Sequence, residues 1–280
     1  MARLQRAFFL FCIPGLLAAV GARETEGQWC KAGHSLSLGI SVFPGFEPLD
    51  VFGPLEVFYA LSYHRNVSLA VIAKEKGLVS SRPPFKTGSK NATNGYENAL
   101  GPRIEATHSF SEAPVLDVLL VPGGRGTSAL EQANDTSVED FIKSTFGQLD
   151  FLLSVCTGAV SLAKAGVLSG RRATTNKSVW KAATNHGKNV TWVPTARWVE
   201  DGNIWTSSGV SAGIDMTYAF LRRLYGDGDE ILKSVMNEIE YAPHTKADWD
   251  PFSVVHKVPG ANTMASLADS TTPVGYDENS

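Results

Sequence analysis

The run Phe151-Leu152-Leu153-Ser154-Val155-Cys156-Thr157-Gly158-Ala159 constrains the fold more than any other stretch. An apolar segment ends abruptly in a cysteine, and small residues follow at once. A helical pattern from Val160 to Ala165 comes next and is closed by Gly166. Buried strand, tight turn and helix is the order this predicts. A cysteine on such a turn stands at the N-terminal end of the helix dipole, where its thiolate is favoured and its sulfur can face a cleft. That geometry is a nucleophile elbow with Cys in the place of Ser. The same residue reads as readily as a buried structural cysteine, because free Cys is among the most buried residue types.

The flanking segments decide what the elbow belongs to. Leu36 to Phe43 reads as a strand broken by Pro44-Gly45. Asp50 precedes helical spacing from Val51 to Leu61, and Val67 to Ala73 reads as a second strand. Val115 to Val121 is a further strand, ended by Pro122-Gly123-Gly124. Ser137 to Phe146 is a helix, and Leu149 to Val155 is the strand before the cysteine. Between Gly77 and Pro114, Pro, Gly and Asn mark loops or a β-hairpin excursion. After Gly170 a short helix runs through Trp180, and Val190–Val193, Trp198–Glu200 and Ile204–Ser207 read as strands. Ala212–Leu224 and Asp229–Ile239 read as helices. Alternating strands and helices predict an α/β domain whose mostly parallel sheet is sandwiched by helices. We place this single domain at 36–242. A C-terminal extension covers 243–280, and its polar end reads as disordered.

The N-terminus follows a different logic. Arg3 and Arg6 precede an apolar run from Ala7 to Val20, and small residues follow at Gly21 and Ala22. That is the pattern of a secretory signal peptide over 1–22, with an uncleaved anchor as the alternative. A polar leader fills 23–35. Export gives meaning to the sequons at Asn66, Asn91, Asn134, Asn176 and Asn189. The expected product is a secreted glycoprotein with no membrane association once the signal is cleaved. Cys12 leaves with the signal, so Cys30 and Cys156 remain; they could pair, but two cysteines are no disulfide framework. A net charge of −3 without a long basic run speaks against a nucleic-acid partner.

In parallel sheets of this kind, sites lie beyond the carboxyl ends of the strands. Three loops should meet there. They carry Glu47 and Asp50, then Gly123, Gly124 and Arg125, then Cys156 and Thr157. A cysteine nucleophile needs its thiolate stabilised, donors for a developing anion, and a proton donor or acceptor. The amides of Gly124 and Thr157 are the candidate anion donors. No His adjoins Cys156, so a carboxylic acid is considered for the proton. Buried beside sulfur, Asp50 would stay protonated and could donate. Its other reading is the N-cap of the following helix. Ser208 and Gly209 end a strand just before a helix and join Gly123 as pocket candidates. Ser211 reads as the cap of that helix, and Asp215 as a complement to its dipole. Arg197, Trp198 and Trp205 read as strand packing. No Cys/His spacing fits a metal site.

Taken in order, the motifs resemble the ThiJ/PfpI superfamily with its class I glutamine amidotransferase-like, flavodoxin-like fold. The matching stretches are Phe43-Pro44-Gly45-Phe46, Leu49-Asp50-Val51-Phe52-Gly53-Pro54, Leu120-Val121-Pro122-Gly123-Gly124 and Ser154-Val155-Cys156-Thr157-Gly158-Ala159. Gly170-Arg171-Arg172-Ala173-Thr174-Thr175 and Trp205 through Asp215 continue the series. Thr directly after the cysteine, together with Leu49-Asp50, looks like the isocyanide (isonitrile) hydratase branch, here as a secreted fungal member. The resemblance implies a cofactor-independent hydro-lyase that adds water to an isocyanide and yields an N-substituted formamide. It implies Cys156 as nucleophile, Asp50 as acid, Thr157 and Gly124 around the sulfur, a small-molecule substrate and a homodimer. Glyoxalase, deglycase or amide-hydrolysing chemistry is the alternative, and so is a secreted, non-catalytic ligand-binding or stress protein. After Thr174-Thr175 the hydratases tend to have His-Trp. Here Asn176 follows, and it joins the pocket candidates. A glycan there would block a pocket-lining loop, which sets this sequon apart from the other four.

Overall fold

The computed structural model describes residues 35–84, 98–267 and 274. The expected signal peptide, nearly all of the expected polar leader, Cys30, Asn91 and most of the chain's end lie outside these residues. In chain order the elements are β1 (Leu36–Ser41), α1 (Pro48–Ser62), β2 (Val67–Ala73), β3 (Gly77–Ser80), β4 (Arg103–Ala106) and β5 (His108–Ser109). There follow β6 (Val118–Val121), α2 (Arg125–Gln132), α3 (Ser137–Thr145), β7 (Phe151–Ser154), α4 (Gly158–Lys164) and β8 (Arg172–Ala173). The chain continues through α5 (Trp180–Ala183), β9 (Thr191–Trp192), β10 (Trp198–Asp201), β11 (Ile204–Ser207), α6 (Ala212–Tyr225), α7 (Glu230–Glu238) and α8 (Phe252–Val255).

Seven strands form the central sheet in the order β10-β11-β7-β6-β1-β2-β5. Each neighbouring pair is parallel except β10–β11, a hairpin whose turn is Gly202-Asn203, one residue later than the Asp201-Gly202 turn expected from the sequence. The innermost strands show why. Every residue of β6 and β7 is buried, as expected for strands covered on both faces. One helical group packs α1 against α6 and α7, and another packs α2 and α3 against α4. The excursion after β2 contains the antiparallel pair β3–β4. Register places Ser41, Val121 and Ser154 at the same edge, so the loops after β1, β6 and β7 open together.

Some boundaries differ from the sequence reading, each for a local reason. Helix α1 starts at Pro48, whose missing N–H costs nothing at a first position. Its N-cap residue is Glu47, so Asp50 stands inside the first turn and does not cap. Helix α2 was not expected. Its segment Arg-Gly-Thr-Ser-Ala-Leu-Glu-Gln carries too few apolar residues to show a helical period. The short helix expected to run through Trp180 instead begins there. Ser211 does occupy the N-cap position of α6, but its side chain makes no capping bond.

Beyond α7 the chain is sewn back onto the sheet. The Arg197 amide donates to Ala247 O at 2.8 Å, and the Asp250 amide donates to Thr195 O at 2.7 Å. Buried charges make the same connection. Asp215 Oδ2 accepts from Arg197 Nε at 2.6 Å, while its Oδ1 accepts from Tyr241 Oη at 2.8 Å and the His244 amide at 2.9 Å. Asp250, with a side chain 1% exposed, stands 3.8 Å from both Lys177 Nζ and Arg197 Nη1. Arg197 is therefore an ion-pair residue rather than strand packing, and Asp215 serves that pair rather than the helix dipole alone. Removing one partner would leave a buried charge uncompensated. Arg197→Leu is expected to destabilise the chain by about 3–5 kcal/mol, read as a lower urea midpoint; an unchanged midpoint would show that the pair contributes nothing.

Candidate active site

Cys156 adopts φ 58°, the left-handed region that costs a side chain about 1–3 kcal/mol outside glycine. The surroundings hold it there. Val155 N–H donates to Val121 O at 3.1 Å, and Cys156 N–H donates to Ser208 O at 3.0 Å. Thr175 Oγ1 donates to Cys156 O at 2.9 Å. The turn is also sterically tight. A Cβ on Gly158 would come within 2.2 Å of Val121 O, and one on Gly123 within 2.4 Å of the Thr157 amide nitrogen. Strand, strained cysteine and helix α4 form the elbow that the apolar run predicts.

Asp50 reaches the elbow from the first turn of α1 and is fully buried. Its Oδ2 accepts from the Gly123 amide at 2.9 Å. Oδ1 is buried with no hydrogen-bond partner, and the Cys156 thiol adjoins the carboxyl. Burial pushes the Asp50 acid well above the usual carboxylate range, and the charge of Glu47 adds to this. The Gly123 amide and the thiol oppose the shift more weakly. Glu47 itself is raised by burial, against the charge of Arg125.

The sulfur meets a comparable environment. Cys156 is an unpaired thiol, 5% exposed. Burial pushes its ionisation upward, and the Asp50 charge adds to this. Asn176 and the Thr157 amide hydrogen-bond the sulfur and pull the other way, and Glu47 raises it slightly. Burial thus works against the low-pKa thiolate that the turn suggests, and it favours the protonated form of both the thiol and the acid. Desolvation of a buried ion opposes the field of α4, which is a helix of only seven residues.

The glycine amides are committed elsewhere. Gly124 N–H donates to Thr157 Oγ1 at 2.9 Å, so it braces the turn instead of facing the sulfur as expected. Thr157 thus presents its amide to the sulfur while its hydroxyl is held by Gly124. On the opposite side, Asn176 Nδ2 donates to Cys156 Sγ at 3.0 Å. Sequence reasoning placed Asn176 in the pocket but missed this contact. The one available signal was the break from His-Trp at that position.

A cleft of about 260 Å³ opens beside Asn176, Ser208 and Gly209. Leu49 contributes one wall, and Phe252 and His256 of the C-terminal extension contribute another. These two residues carried no motif that could have marked them. Lys177 also reaches the cleft. Burial lowers its ammonium to about 8, against the attraction of Asp250. Among the described sequons, Asn66, Asn134 and Asn189 are exposed. At Asn176 the nitrogen that would carry a glycan is the one that hydrogen-bonds the sulfur, so a glycan there would compete with this contact. Among the described residues no group of three His, Cys, Asp or Glu could hold a metal ion. No described helix is long and apolar enough to cross a membrane.

A parallel α/β sheet with a cysteine elbow at its carboxyl edge and a buried acid beside it defines a class of cysteine-site proteins. Residues 37–223 match the DJ-1/PfpI family, and the chain belongs to it. It is 32% identical to an isonitrile hydratase from Pseudomonas putida over 210 residues, which cover 75% of this chain and 80% of the relative. It is 33% identical to a deglycase from Pyrococcus abyssi over 175 residues, covering 62% and 91%. A solved ThiJ/PfpI family protein from Pseudomonas syringae superposes with a TM-score of 0.60 at 26% identity, covering 82% of this chain and 84% of the other.

Two outcomes follow from the buried pair. In the unfolded chain Asp50 ionises near pH ~4, and in the folded chain it does so higher. Its contribution to stability is therefore complete below the unfolded pKa and falls as pH rises towards the folded one. Asn at this position does not titrate. Denaturation midpoints of wild type and Asp50→Asn, followed from pH 4 to pH 8, should diverge with the variant gaining; parallel curves would contradict a buried neutral acid. Alkylation of Cys156 by iodoacetamide should still be accelerating above pH ~9, whereas a plateau below pH 8 would mean a stabilised thiolate.

Proposed function

We propose that this chain is an isonitrile hydratase-like enzyme, converting R–N≡C and water into R–NH–CHO without a cofactor. The observation that carries the reading is the buried carboxyl of Asp50 beside the buried thiol of Cys156, where burial favours the protonated form of each. An isocyanide is neutral overall, and its terminal carbon takes up a nucleophile and a proton at the same atom. A thiol with an adjacent carboxylic acid supplies both without separating charge in a low-dielectric pocket.

Sulfur bonds to the terminal carbon while Asp50 protonates that carbon, and the thiol proton passes to the Asp50 carboxylate. The product is a thioimidate, R–N=CH–S–Cys156, with Asp50 again protonated. Water adds to its carbon and one water proton goes to nitrogen. The C–S bond then breaks with its electron pair on sulfur, the hydroxyl proton returns to sulfur, and the formamide leaves. The Pseudomonas putida relative supports this reading over the deglycase alternative, because the match covers more of this chain. The cleft between Leu49 and Phe252 is suited to hold the substituent on nitrogen.

Two expectations from the sequence belong to this proposal. Secretion rests on the basic start, apolar centre and small-residue exit of the first 22 residues. A homodimer is supported by Leu49, Phe52, Tyr59 and Tyr63, which line one side of α1 and its end and are all exposed.

Assay of formamide release from an aryl isocyanide tests the chemistry. Cys156→Ser should abolish turnover, and Asp50→Asn should lower kcat by about 10²–10⁴-fold. Consumption of methylglyoxal with no formamide from any isocyanide would move the chain to the deglycase reading.

A further inference from the structure

The side chain of Asn176 is anchored at both ends. Its Oδ1 accepts from the Ser178 amide at 2.8 Å and from Ser178 Oγ at 2.5 Å. A carbonyl oxygen can accept these bonds and an NH₂ group cannot accept from a backbone N–H, so the amide has only one orientation. Nδ2 must then point away from Ser178, and at 3.0 Å it meets Cys156 Sγ. Room for this contact depends on Gly209, where a Cβ would come within 2.6 Å of Asn176 Nδ2. Few other donors are available. Gly124 N–H is taken by Thr157 and Gly123 N–H by Asp50, which leaves the Thr157 amide on the other side of the sulfur.

We infer that Asn176 is a catalytic residue of this site: its amide nitrogen is the donor that carries negative charge developing on the Cys156 sulfur, and Ser178 is the positioning residue that aims it. The inference rests on Cys156 as the reacting atom, and does not depend on the electrophile being an isocyanide. Sulfur carries most charge when the C–S bond breaks and the electron pair returns to it. A buried anion without a donor is strongly disfavoured, and a preorganised N–H lowers that barrier at no cost in reorganisation. The charged groups that face the sulfur are Asp50 and Glu47, both on the α1 side, and both would disfavour an anion if ionised. Lys177, although adjacent in sequence, turns its Nζ to Thr174 Oγ1 and Ala196 O at 2.8 and 2.7 Å. Asn176 thus supplies from the opposite side what neither carboxyl can.

The test is the second-order rate of iodoacetamide alkylation at Cys156, followed by peptide mass spectrometry from pH 6 to pH 11. In this reaction sulfur bonds to the CH₂ carbon and iodide leaves. Asn176→Asp keeps the size and the contact with Ser178 but replaces the donor by a carboxylate. It should slow alkylation at pH 8 by about tenfold or more and move the profile to higher pH by about one unit. Asn176→Ala should shift the profile in the same direction by less. Gly209→Ala, which displaces the amide without changing its chemistry, should resemble Asn176→Ala. Circular dichroism and the melting temperature show that each variant is folded. A folded Asn176→Asp with an unshifted profile overturns the inference, as does wild-type Cys156 that is not alkylated at any pH. Formamide release from an aryl isocyanide separates the two proposals. Shifted profiles with no formamide leave Asn176 in its role and remove the hydratase reading; formamide production with unshifted profiles does the reverse.

Discussion

The left-handed turn at Cys156 is the constraint on which the rest of the site depends. A non-glycine residue at φ 58° is strained, and the strain persists because three neighbours fix the backbone around it. Val121 on β6, Ser208 after β11 and Thr175 after β8 each hydrogen-bond the turn, and they come from widely separated parts of the sequence. Small residues at Gly123 and Gly158 let two strand-end loops approach more closely than any side chain would allow. Because the turn is pinned in this way, the sulfur points to one place, where the acid from α1 and the amide from the Asn176 loop meet it.

Once buried there, the cysteine obeys solvation before it obeys the helix dipole. A short helix offers a fraction of a charge, while a dry pocket penalises a full one. Burial therefore favours the protonated form of both Cys156 and Asp50, and negative charge on sulfur needs dedicated donors. The same physics shapes the far side of the site. Lys177, Arg197, Asp215 and Asp250 are buried as a connected group, each tolerated because a counter-charge or carbonyl lies nearby. That group docks the segment carrying Phe252 and His256 against the cleft. This part of the chain lies beyond the family match at 223, yet it lines the cleft beside Asn176, whose amide meets the sulfur.

The sheet was legible in the sequence because its evidence is local. Uninterrupted apolar runs at β6 and β7 and the Gly-Gly and Cys-Thr-Gly breaks after them are consequences of burial on both faces and of tight turns. Asp50 could be placed at the right edge of the sheet for the same reason. Its two local readings, cap and acid, could not be separated by spacing, since both place an aspartate near a helix start. The side chain's path to Gly123, 73 residues away, separates them. Arg197 and Asp215 looked like ordinary strand and helix residues because an ion pair between two elements leaves no periodic trace.

By itself the sequence determined the α/β layering, the strand-turn-helix at Cys156 and the edge of the sheet where chemistry would gather, since each follows from hydrophobic period and turn chemistry within a few residues. Only the tertiary structure decided the burial of the thiol and acid together, the commitment of Gly124 to Thr157, the contact of Asn176 with sulfur and the contribution of Phe252 and His256 to the cleft. Those depend on desolvation and on atoms brought within about 3 Å by the packing of distant segments, and neither quantity is a property of neighbours along the chain.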